Sequence, residues 1–95
     1  MLTLLTNIDI IRHMKEDHIF IFAGNANEAR DWMRLNSGKY FDAIYISHYS
    51  KILGLRRGLK YVRLLGWFTH PQAKLINQYL YIKDAINVTS EYAPA

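Results

Sequence analysis

The chain contains no cysteine, which excludes a disulfide framework, a thiolate metal site and a thiol nucleophile. Its longest apolar runs fall well short of the roughly 18 residues that span a bilayer. The opening "MLTLLTNIDI" lacks the basic stretch and small-residue cleavage site of a secretory signal. A cytoplasmic protein without a membrane partner is therefore expected. Proline occurs only twice, and no Pro/Ser/Gly-rich linker, repeat or low-complexity segment divides the 95 residues. Residues 1–95 thus read as one domain, with 87–95 as a tail that frays.

Acids are missing where they would be most expected. Of the eight Asp and Glu, none falls between Ala43 and Lys83, a segment that holds seven Lys or Arg and must also supply much of the core. The net charge of +4 is therefore concentrated in the second half. Such asymmetry points to nucleic acid, a phosphorylated or otherwise anionic ligand, or an acidic protein partner.

What is present is a regular alternation of elements. Asn7 as cap, with Ile8, Ile11 and Met14 at helical spacing, predicts a short N-terminal helix. "HIFIFAG" from His18 is a β-branched and aromatic run of strand length closed by Gly24. Asn25 then caps a helix in which Glu28 is the capping-box partner and Ala29, Trp32, Met33 and Leu35 set the apolar period, with Ser37 and Gly38 ending it. "FDAIYIS" is a second strand. "HYSKILGLRRGL" is a polar crossover with room for one helical turn near Ser50 to Leu53, and "KYVRLLGW" is a third strand. Pro71 opens a last helix that carries Ala73, Ile76, Tyr79 and Leu80 on one face.

Strands that alternate with helices and are almost wholly apolar predict an α/β fold, a small three-strand parallel sheet flanked by helices. Right-handed crossovers gather the strand C-termini on one edge. That edge would carry Asn25 and Asn27, then Ser47, His48 and Tyr49, then Trp67, Thr69 and His70, with helix N-termini near Ala26 and Pro71 facing the same crevice. It is the place where open α/β sheets bind ligands.

Lys51, Arg56, Arg57, Lys60 and Arg63 fall in the crossover and the third strand. Arginine pairs grip phosphate bidentately, so "GLRRG" suits a loop-borne phosphate clamp. The crossover's far end lies opposite the strand C-termini, which leaves open whether patch and edge form one surface. Trp67 and Phe68, beyond the third strand, suit base stacking, a dimer contact or a lid over the core.

Catalytic patterns are weak. "GNANEAR" lacks the three-glycine spacing of a dinucleotide loop, no phosphate-loop motif occurs, and "HYS" has no second copy that would make a two-histidine phosphodiesterase. No catalytic residue, cofactor or metal site is assigned, although His48 and His70 would be the pair to meet at the edge.

The order "IFIFAGNANEARDWMRLN", "DAIYIS", "LGLRRGLKYVRLLGW" and "HPQAKLINQYL" resembles the small Rossmann-like α/β proteins of bacteriophages and mobile elements over about Ile19 to Leu80. The resemblance is one of architecture, and implies a bacterial cytoplasmic setting and a role on nucleic acid or against a host factor. The leading expectation is a non-enzymatic binding protein that contacts nucleic acid or a phosphorylated ligand through its basic residues. The alternatives are a protein-interaction or inhibitor module for an acidic host protein, homo-oligomeric or not, and a small phosphate-ester enzyme.

Overall fold

The structure, a computed structural model, describes residues 18–39 and 42–94, and the expected N-terminal helix lies outside them. The elements are β1 (His18–Phe22), α1 (Ala26–Leu35), β2 (Asp42–Tyr45), α2 (Ser50–Leu53), β3 (Lys60–Arg63), α3 (Ala73–Ile82) and β4 (Ile86–Asn87). Single 3-10 turns occupy Trp67–Thr69 and Thr89–Glu91. All strand pairings are parallel, in the order β2-β1-β3-β4.

β1 and β3 are the inner strands, and β1 is the more deeply buried, with four consecutive apolar residues from Ile19 to Phe22 out of water. Ile19 and Ile21 point to one face, Phe20 and Phe22 to the other, as a period of two requires. α1 covers the isoleucine face with Ala29 and Trp32, joined by Val62, Leu64 and Val88. Ile52 of α2 and Ile76 and Leu80 of α3 cover the phenylalanine face. The parallel sheet is thus buried on both sides, the condition that makes its strands read as continuous apolar runs.

α1 starts where Asn25 takes an extended backbone and its side chain accepts the Glu28 N–H at 2.9 Å. It ends at Asn36, followed by Gly38 at φ 93°, a backbone state open to glycine at little cost. The apolar stripe shifts at that end: Leu35 is exposed, and Asn36 takes the buried position. Its amide donates to the Trp32 carbonyl at 2.9 Å and to the Ala93 carbonyl at 3.2 Å, and its oxygen accepts the Ala93 N–H at 3.1 Å. A buried side-chain amide is tolerated because both its ends are satisfied.

Two further expectations need correction. The sheet has four strands, not three. β4 is only two residues long and both are exposed, so it has no apolar run to announce it; the Ile86 and Val88 N–H groups donate to Leu59 and Tyr61 carbonyls at 2.7 and 2.9 Å. Residues 87–95, read as the tail, hold the last residue of β4, a 3-10 turn and the Asn36 clasp on Ala93. The last helix begins at Ala73, with Pro71 ahead of the cap residue Gln72. The His70 ring takes the Gln72 N–H at 2.9 Å and the His70 carbonyl takes the Ala73 N–H at 3.0 Å, and this side-chain turn delays the helix.

Candidate functional site

The chain passes from β1 outward to β2 and then returns across β1 to β3, so the connections diverge between β1 and β3. At the strand C-termini such a switch point opens a crevice whose backbone N–H groups suit an anion. Here the crevice is filled from within. Glu28 Oε1 accepts the Gly24 N–H and Oε2 accepts the Gly66 N–H, each at 2.7 Å. The packing leaves no room for a side chain at Gly24, where a Cβ would sit 2.1 Å from Thr69 Oγ1 and 2.3 Å from the Gly66 carbonyl oxygen. A second anion at this place would meet a carboxylate whose hydrogen-bond donors are already engaged.

The other residues expected at this edge are brought together, but mostly to hold the loops. The Thr69 hydroxyl donates to the Gly66 carbonyl at 2.7 Å. His70 is buried: its Nδ1 accepts the Gln72 N–H, which fixes the proton on Nε2, and Nε2 donates to the Ile46 carbonyl at 3.0 Å. Both ring nitrogens are committed, so no acid–base pair with His48 exists. His48 Nδ1 accepts from Ser50, its ring lies 4.6 Å from that of Tyr49, and Tyr49 stacks on Tyr79 at 5.6 Å. The Tyr49 N–H donates to Gln72 Oε1. Asn25 is the helix cap, while Asn27 and Ser47 are exposed. Burial and the nearby Glu28 carboxylate push the Tyr45 phenol above its ordinary value. Among the described residues no group of three His, Asp or Glu could hold a metal.

Trp67 is half-buried, with its ring 5.2 Å from Phe22, and acts as a lid on the core, whereas Phe68 is 67% exposed. Arg63 belongs to this lid. Its guanidinium lies 4.8 Å over the Trp67 ring, with Phe22 and Tyr61 also within reach, and it donates to Asn77 Oδ1. It is therefore removed from the basic patch in which its sequence position placed it. β3 separates it from Lys60 by three residues, about 10 Å of strand.

Three of the other expected cations lie at the opposite edge, where the strands begin. Arg56, Arg57 and Lys60 line a cavity of about 370 Å³ together with His18 and Phe20. The turn that carries the arginines is fixed at both ends. Lys83 Nζ donates to the carbonyls of Leu53 and Leu55 at 3.0 and 2.9 Å, satisfying the end of α2, and the Lys83 carbonyl accepts the Gly58 N–H at 2.7 Å. Gly58 has φ 77°, so glycine is needed there; Gly54, at φ −90°, makes no such demand. Arg57 pairs with Asp84 at 3.4 Å, both exposed. Lys51, on α2, lies apart from this cavity, with Nζ 3.4 Å from the Tyr45 carbonyl oxygen. Patch and polar edge are two surfaces, and Gly58, Lys83 and Asp84 are parts of the basic one that sequence reasoning missed. The positive φ has a local signal in the glycine, but the Lys83 and Asp84 contacts span 25 residues or more and have none.

No helix among the described residues is long and apolar enough to cross a membrane. Comparison of the chain with protein-family models, with curated proteins and with solved structures gave no match.

Proposed function

We propose that this is a binding protein whose arginine turn takes phosphate groups of nucleic acid or of a phosphorylated ligand. The observation that carries this reading is the convergence of Arg56, Arg57 and Lys60 on one cavity, on a turn anchored by Lys83 and Gly58. Phosphate rewards such an arrangement, because guanidinium groups held in place lose little freedom when they bind an anion bidentately. The ion pair of Arg57 with Asp84 is no obstacle. Exposed pairs of this kind contribute less than about 1 kcal/mol and exchange readily for a better anion. The strand C-terminal edge is the weaker candidate, since Glu28 occupies its donors and His70 its own ring nitrogens.

Fluorescence anisotropy with labelled DNA and RNA at low salt tests the proposal. Wild type should bind, and the double variant Arg56→Glu with Arg57→Glu should lose binding by at least about tenfold. Equal binding by both proteins would remove the arginine turn from consideration.

A protein-interaction role has one observation in its favour: Leu65 and Phe68 stand 81% and 67% exposed on the loop after β3. Light scattering separates the two roles. An oligomer that falls to monomer with Phe68→Ser would assign this loop to self-association.

A further inference from the structure

Arg57 does not belong to one hollow alone. It also lines a second, more open one of about 670 Å³, formed with Tyr81, Ile82, Asp84 and Ala85 at the end of α3. Tyr81 is 85% exposed and Ile82 52% exposed, and the Tyr81 ring makes no ring contact among the described residues. A large aromatic face left to water at the end of a helix, beside an arginine, differs in kind from an ordinary solvated surface. It offers a flat apolar platform next to a point of phosphate attraction.

We infer that the two hollows form one site for single-stranded nucleic acid, with the phosphates drawn to Arg56, Arg57 and Lys60 and a base stacked on Tyr81. This inference rests on the phosphate-binding role proposed above and names its ligand. The strand must be single because a duplex presents its phosphates but hides the faces of its bases, whereas an unpaired base can turn its face to the tyrosine. Arg57 is the junction between the phosphate and base halves. Asp84, which pairs with Arg57 at 3.4 Å, is the group that a phosphate displaces.

The test uses the full chain and three labelled oligomers of about twelve nucleotides: a mixed-sequence single strand, its duplex, and an abasic strand of the same length that keeps the phosphates without the bases. The intact single strand should bind about five- to hundredfold more tightly than the abasic one. Tyr81→Ala should abolish that difference, and Tyr81→Phe should keep it. Arg57→Gln should weaken all three oligomers. If intact and abasic strands bind alike and Tyr81→Ala changes nothing while Arg57→Gln still weakens binding, the stacking platform is wrong and the phosphate role stands. If none of the three oligomers binds, both are overturned. Because Tyr81 is so exposed, its replacement leaves the core untouched and a loss of binding is not a loss of fold.

Discussion

Both oxygens of the Glu28 carboxylate are spent on backbone N–H groups 42 residues apart in the chain, one at Gly24 and one at Gly66. A single side chain thereby ties the loop after β1 to the loop after β3. Glu28→Gln tests this bond, because the amide has one acceptor oxygen and must leave one of the two donors unsatisfied. The expected cost is about 1–3 kcal/mol, or a melting temperature lower by roughly 5–15 °C in thermal denaturation. Tyr45 makes a prediction about pH. Its folded-state value lies above the ordinary phenol value of about 10, through burial first and the Glu28 charge second. The unfolded chain therefore releases this proton at a lower pH than the folded one. The stabilising contribution is complete below pH about 10 and is lost as the pH rises through the folded value. Denaturant titrations should show wild type losing stability above that pH more steeply than Tyr45→Phe. Parallel slopes would show that Tyr45 does not contribute.

At the scale of elements, what could be read from the sequence followed how local the signal was. β1, α1 and the single turn of α2 were legible because their apolar period, cap residues and closing glycine lie within a dozen residues of one another. β4 was not, since two exposed residues carry no period and their pairing partners lie about 26 residues upstream. Arg63 was assigned to the basic patch because strand position alone does not reveal that its guanidinium stacks on Trp67. At the polar edge the sequence pairs Glu28 with Asn25 in a capping box, whereas its carboxylate accepts from Gly24 and Gly66 instead, and the second contact spans 38 residues with no local signal. Asn36 holds the tail at the element scale. Asn36→Ala removes the clasp on Ala93 and leaves the Trp32 carbonyl without its amide, and should lower stability by about 1–2 kcal/mol. Proteolysis of the C-terminal residues should accelerate with it. A variant as resistant as wild type would mean that β4 alone holds the segment.

For the whole molecule, the two ends of the sheet have opposite characters. The strand C-terminal end is closed by its own carboxylate and lidded by Trp67 and Arg63, whereas the strand N-terminal end presents cations around open hollows. Asp84 is the acid that pairs with Arg57 on that second surface. It sits at φ 49°, a conformation that Asn also accepts, so Asp84→Asn should keep the turn. It should free Arg57 and raise affinity for nucleic acid by about two- to fivefold at low salt, with stability changed by less than about 0.5 kcal/mol. Unchanged or weaker binding would show that Asp84 is not in competition with phosphate.

The central claim, that the arginine turn binds phosphate, is tested most directly by the salt dependence of affinity for a single-stranded oligonucleotide. Contacts by three cations give a log–log slope of about −2, and Arg56→Glu with Arg57→Glu should flatten it towards zero. A slope near zero for the wild-type protein, or one that the double variant retains in full, would contradict the account.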